Sequence, residues 1–193
     1  MQIFGHSGSG NCLKVKWTCD LLALPYAWTE VDTFAGGSRT PEFLKMNPAG
    51  QVPVVKFDDG RTLAQSNAII RYLARDSDLV PRDPFDAAKM DEWLFWEQYS
   101  HEPYVAVCRS QLVYLGKSRD ELDPEKVKRG YAALQRMEAQ LDATRFLIGE
   151  QISLADVALI AYTRVAHEGG FDLAAYPAVR RWIGEAEQAL GIG

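Results

Sequence analysis

Near residue 80 the apolar pattern of the chain changes character, and few folds accommodate the change. Before it, short β-like runs alternate with helical patterns; after it, every patterned segment has helical spacing. The change falls in Asp76–Pro84, where Pro81 and Pro84 stand among aspartates, the composition of a linker. The 193 residues suffice for two small domains. The reading is an α/β domain over residues 1–78, a linker over 79–84 and an all-helical domain over 85–193.

In the first part, Met1–Gly5, Tyr26–Val31, Val52–Phe57 and Arg61–Ala64 read as strands, with Asp59-Gly60 as the turn between the last two. Asn11–Ala23 reads as a helix with Leu13, Trp17 and Leu21 on one stripe and Lys14, Lys16 and Asp20 off it. Thr40-Pro41 is a cap followed by proline at the first helical position, and Ser66–Arg75 is a further helix. The predicted order is β-α-β-α-β-β-α. In the second part a long helical stretch from Phe85 to Gly116 contains Pro103, which should kink or interrupt it. Asp123-Pro124 opens another helix. Ser153-Leu-Ala-Asp156 has the form of a capping box, and Tyr176-Pro177 precedes a last helix carrying Trp182, Ile183 and Leu190.

Several function classes are disfavoured. Asp and Glu (26) exceed Lys and Arg (21), and the cations are scattered, so no nucleic-acid footprint is expected. No signal peptide and no membrane span are expected. The cysteines, Cys12, Cys19 and Cys108, are few and odd in number, which points to a reducing compartment. On one helix, Cys12 and Cys19 would lie about 10 Å apart, too far for a disulfide. Neither the cysteines nor His6, His101 and His167 have metal-ligand spacing, so no metal is expected.

Three segments could carry chemistry. Asn47-Pro-Ala-Gly-Gln-Val-Pro-Val-Val55 places Pro53 where a strand is expected. A trans proline inside a central strand would break the ladder. A cis proline at the start of an edge strand would instead turn the Val52 N–H and C=O outward, ready for an extended peptide. An edge-strand proline with no ligand is the plain alternative. Gln65-Ser66 opens a helix, whose N-terminal N–H groups suit a carboxylate; alone, Ser66 would be no more than a cap. Ser7-Gly-Ser-Gly-Asn11 joins the first strand to the first helix and is not a P-loop. Its hydroxyls and amide could stabilise an anion such as a thiolate, with Cys12 in the same turn.

Together these residues resemble the cytosolic glutathione S-transferase superfamily, over nearly the whole chain. The markers are Ser9-Gly10-Asn11-Cys12, Pro41-Glu-Phe-Leu with Asn47-Pro48, Gln51-Val-Pro53, Gln65-Ser66 with Ile69, Ile70 and Tyr72, and Ser153-Leu-Ala-Asp156. The resemblance implies a thioredoxin-like domain followed by a helical domain, a homodimer, a cytoplasmic location, and glutathione as co-substrate with a small hydrophobic electrophile. It implies that the Val52 backbone, held by Pro53, pairs with the cysteinyl part of glutathione. Gln65 and Ser66 would hold the γ-glutamyl end, and Gln51, with Ser38 and Arg39, would lie near the glycyl carboxylate. A free thiol titrates near ~8.5, so the mechanism is stabilisation of the thiolate, which attacks the electrophile. Ser9 is the first candidate donor, with Ser7, Asn11 and Cys12 as alternatives. Tyr104 and Arg109 are candidates for the electrophile pocket; an Arg109 salt bridge is the plain alternative. His101 reads as a capping or interface residue, and Trp93, Trp96 and Trp182 as core or interface. A glutathione-dependent disulfide or peroxide reductase using Cys12, and a non-enzymatic binding module, stay open as other functions.

Overall fold

The computed structural model describes residues 1–192, which divide into two units, Met1–Ser77 and a second that begins at Asp78. The first unit runs β1 (Gln2–Gly5), α1 (Gly10–Leu21), β2 (Ala27–Glu30), a 3-10 turn (Gly37–Arg39), α2 (Pro41–Met46), β3 (Val54–Lys56), β4 (Thr62–Ala64) and α3 (Ser66–Leu73). The sheet order is β2-β1-β3-β4. β1 and β2 are parallel, and β3 is antiparallel to both β1 and β4. This is a thioredoxin-like arrangement, in the element order read from the sequence.

Side chains alternate across the sheet. On one face Phe4 and Val54, which are register partners, cluster with Val31, Val52 and with Phe43 and Met46 of α2. On the other, Ile3 and Val55 are fully buried, as are Val15 of α1 and Ile69 and Ile70 of α3. Each such aliphatic side chain contributes about 1.5–3 kcal/mol on burial. α1 and α3 pack on one another, so α1 is covered on more than one side. That overturns the single-stripe reading of this helix. Leu21 is 39% exposed, whereas Cys12, Cys19 and Lys14 are fully buried.

β3 is also not an edge strand, since it pairs on both sides. Its proline is tolerated because the ladder begins one residue later, at Val54, so the missing N–H of Pro53 removes no ladder bond. The Val52-Pro53 bond is cis.

The second unit is all helical: α4 (Pro84–Trp96), a π turn (Glu97–His101), α5 (Glu102–Val113), a 3-10 turn (Arg119–Glu121), α6 (Pro124–Ala143), α7 (Leu154–Thr163), a 3-10 turn (Ala166–Gly169) and α8 (Pro177–Leu190). The Pro103 interruption takes the form of this π turn, which places the proline in the first turn of α5, where a missing N–H breaks no helical bond. The helical stretch ends at Val113, short of Gly116. Asp123 caps α6 by accepting from the Glu125 N–H at 2.9 Å. The Ser153/Asp156 capping box forms at the start of α7. Trp182 is fully buried, and His101, fully buried, pairs with the Thr163 hydroxyl at 3.0 Å. No helix among the described residues is long and apolar enough to cross a membrane.

Candidate active site

The segment that follows β1, Ser7–Asn11, is braced from several directions. The Glu30 carboxylate, at the end of β2, accepts from the Ser7 N–H at 2.8 Å and the Ser7 hydroxyl at 3.1 Å, and from the Trp28 indole at 2.7 Å. These donors hold the Glu30 carboxyl below its ordinary range. His6 Nδ1 accepts from the Gly8 N–H at 3.0 Å, which fixes the protonated nitrogen, in a neutral ring, as Nε2. Ser7 is thereby committed to Glu30. Ser9 is the N-cap of α1, with extended backbone, yet its side chain makes no cap bond. Its hydroxyl interacts with the Cys12 sulfur, a weak acceptor.

Cys12 faces inward. It is fully buried, and its sulfur accepts from the His6 N–H at 3.4 Å. Burial pushes the thiol up, and the nearby Glu30 charge adds to that, against the pull of His6, Ser9 and Lys14. Burial likewise raises Cys108, and raises Cys19 to about 12. All three cysteines are free and buried. The expected result is that none reacts with an aromatic disulfide reagent at pH 8 in the native protein, while all three react after denaturation; absorbance titration of released thiolate checks this.

The candidate peptide strip is the segment Asn47–Pro53. Asn47 is 7% exposed, and its side chain ties the loop internally. Nδ2 donates to the Gln51 carbonyl at 2.8 Å, and Oδ1 accepts from the Ala49 N–H at 3.2 Å. Gly50 has φ +62, and a Cβ there would run into the Arg39 guanidinium, which lies over the loop and donates to the Ala49 carbonyl at 3.1 Å. Ser38 is buried and Arg39 exposed beside it. Val52 lies outside the ladder, and no described residue bonds its N–H or C=O. Gln51 is exposed.

Gln65 precedes α3 at φ +69, a conformation that costs a non-glycine residue of order 1–3 kcal/mol and that clusters at ligand sites. It leaves the Gln65 side chain exposed and Ser66 buried. The Ser66 hydroxyl donates to Asn11 Oδ1 at 3.1 Å. Its hydrogen is thus used within the protein, while its lone pairs remain to accept.

Asn11 therefore joins α3 to the first turn of α1. The same Oδ1 accepts from Lys14 Nζ at 2.8 Å, and the Thr18 hydroxyl donates to the Lys14 carbonyl at 2.8 Å. Lys14 and Glu30 were missed in the sequence. Only the i,i+3 spacing of Asn11 and Lys14 hinted at the first, and the end position of Glu30 on β2 says nothing of its partners.

Tyr104 and Arg109 lie in the second unit. The Tyr104 hydroxyl accepts from Arg129 Nη1 at 2.9 Å. Arg109 donates to Glu168 at 2.6 Å and to the Tyr114 hydroxyl at 3.2 Å, so its charge is compensated locally. Among the described residues, no group of three or more His, Cys, Asp or Glu side chains could hold a metal.

The chain is similar over most of its length to known proteins. Residues 8–76 match the family model described as the glutathione S-transferase N-terminal domain, and residues 94–188 match that of the C-terminal domain. The chain is 30% identical to glutathione S-transferase 3 of Zea mays over 94% of its own length and 86% of that protein. It is 27% identical to glutathione S-transferase D6 of Drosophila melanogaster, with 97% and 87% covered. A crystal structure of a glutathione S-transferase from Pseudomonas fluorescens superposes with a TM-score of 0.94 at 46% identity, covering 96% of this chain and 94% of that one.

Proposed function

Because the chain belongs to the glutathione S-transferase family, we propose that its first unit binds glutathione along the open Val52 backbone and that Ser9 activates the thiol for attack on a small hydrophobic electrophile. The chain is a glutathione transferase by its homology; the residue roles are the proposal. Val52 offers an N–H and a C=O to the cysteinyl part. The N–H groups that open α3 favour the γ-glutamyl carboxylate, and the Ser66 lone pairs and Gln65 amide oxygen can accept from its ammonium. Gln51 and Arg39 border the strip at the glycyl end.

The observation that carries the reading is the state of Ser9. It stands at the positive end of α1 with a hydroxyl that caps nothing and has only a weak sulfur partner. A substrate thiolate is a stronger acceptor, so the hydroxyl gains by turning to it. Cys12, buried and with its thiol pushed up, is the poorer candidate for either activation or mixed-disulfide chemistry. The test is retention on immobilised glutathione together with turnover of a chlorinated aromatic acceptor, and a Cys12→Ser variant that keeps both. Failure of the unaltered protein to bind millimolar glutathione by calorimetry would favour a non-enzymatic module.

Tyr104 and Arg109 are retained in the proposal as electrophile-pocket residues, and three free cysteines suit a cytoplasmic protein. A homodimer is also part of it. Phe85, Phe95 and Tyr99 are 72%, 78% and 82% exposed on α4 and the π turn, a concentration of aromatic surface that a partner copy would cover. Light scattering is expected to give twice the chain mass, and Phe95→Asp to shift it to the monomer.

A further inference from the structure

We propose that Glu30 is a positioning residue of the transferase reaction: it anchors the turn at Ser7 and Gly8 to the end of β2 and so sets where Ser9 presents its hydroxyl to the thiol. The proposal rests on the reading in which Ser9 activates glutathione, and it adds a residue to which that reading gives no part.

The Ser9 side chain makes no cap bond and has only the weak Cys12 sulfur as partner. Its hydroxyl therefore lies where the backbone before α1 puts it. That backbone is a tight turn, closed by the Ser9 N–H donating to the His6 carbonyl at 2.9 Å. Ser7 and Gly8 are its two central residues. Gly8 is held from within the turn, its N–H donating to His6 Nδ1 at 3.0 Å. Ser7 is held from outside. One Glu30 oxygen accepts both its N–H, at 2.8 Å, and its hydroxyl, at 3.1 Å.

The other Glu30 oxygen accepts from the Trp28 indole at 2.7 Å, so the carboxylate is oriented from both ends. Trp28 in turn is seated by Gly5 of β1, where a Cβ would come within 2.6 Å of its ring. Glu30 is exposed, and water alone would satisfy an exposed carboxylate. Three protein donors gathered on it point to orientation rather than solvation. The Glu30 charge itself works against the reaction. It pushes the Cys12 thiol up, and a substrate thiolate beside the same turn is disfavoured in the same way. His6, a titratable neighbour, favours the Glu30 carboxylate. Placement and charge thus act on the thiolate with opposite signs, which makes them separable.

The test is an absorbance titration of the bound glutathione thiolate in the full-length protein, comparing Glu30→Ala, Glu30→Asp, Ser9→Ala and the Glu30→Ala/Ser9→Ala double variant. Glu30→Asp keeps the charge but is one methylene too short to reach Ser7 and Trp28 together. Both single Glu30 variants are expected to move the titration up, leaving roughly ten-fold less thiolate at pH 7. Calorimetric affinity at a pH below that titration, where the thiol is bound protonated, is expected to stay unchanged. In the Ser9→Ala background, Glu30→Ala is expected to change nothing further, because its effect passes through Ser9. A titration unmoved or lowered in Glu30→Ala overturns the proposal, as does an equal upward shift with and without Ser9. Should Glu30→Ala not fold, Glu30→Asp decides by the same criteria. If the unaltered protein binds no glutathione, or Ser9→Ala leaves the titration in place, the reading beneath falls instead, so the two failures are told apart.

Discussion

Ser9→Ala is expected to lower kcat/KM for glutathione by about a hundred-fold, the cost of removing one preorganised donor from a developing or resident anion. The loss should be specific in form. Ser9 is the N-cap of α1 but its side chain contributes no cap bond, so the usual cost of an N-cap replacement is not expected and thermal stability should change little. Glutathione affinity should fall much less than kcat, because in the proposed binding mode Val52, Gln65 and Ser66 hold the peptide elsewhere. The acid limb of the pH–rate profile should move up toward the ~8.5 of a free thiol, since the hydroxyl favours only the thiolate form. The sign is fixed: less activity at neutral pH, with partial recovery as pH rises. Stopped-flow spectroscopy of the bound thiolate, measured across pH, reads this shift directly. Unchanged rate and unchanged pH limb in the variant would remove Ser9 from the mechanism without touching the family assignment.

The sequence carried most of the fold because its signals were local. Thr40-Pro41, Asp123-Pro124 and Ser153 each open a helix where a cap was read, and Asp59-Gly60 turns β3 into β4. What escaped were consequences of tertiary covering. Lys14 reads as a solvent-facing cation because its neighbours on the helix are mixed. It is buried all the same, for α1 has no single inner face. The edge-strand reading of β3 failed for a similar reason. A proline suggests an edge, yet the ladder starts just beyond it, and strand order depends on crossovers that short runs do not encode. At the candidate site, residue types were legible while commitments were not. Ser7 and Ser9 look equivalent in a string of small residues. Only the structure assigns Ser7 to Glu30 and leaves Ser9 without a cap bond. Likewise Cys12 is one residue past Asn11, and a helix start turns the two side chains apart, one half-buried and one inward.

Asp156→Ala is expected to cost about 3–5 kcal/mol, a large part of the ~5–15 kcal/mol that keeps a domain folded. The carboxylate has no exposed surface and gathers four donors. Oδ1 accepts from the Leu147 N–H at 2.9 Å and the Trp182 indole at 2.8 Å. Oδ2 accepts from the Ser153 N–H at 2.8 Å and hydroxyl at 2.9 Å. Removing it strands three N–H groups in the interior, each worth roughly 1–3 kcal/mol unsatisfied, although relaxation recovers part of that. Burial outweighs the donors and raises the carboxyl above its ordinary 3.8. With the folded value above the unfolded one, the folded state holds the proton more tightly, so this group's contribution is greatest in acid and declines as pH rises through the folded value. As an acceptor it joins the start of α7 to α8 and to the Phe146–Gly149 turn. Two comparisons follow. Asp156→Asn keeps one oxygen but turns an NH2 toward donors, so it should lie between the unaltered protein and Asp156→Ala. Trp182→Phe removes a donor and leaves the other three bonded, so it should cost less than Asp156→Ala, and the double variant less than the sum. Thermal melts followed by circular dichroism should show Asp156→Ala lowered by about 10 °C or more. A melt within a few degrees of the unaltered protein would mean that the α7 start does not depend on its carboxylate.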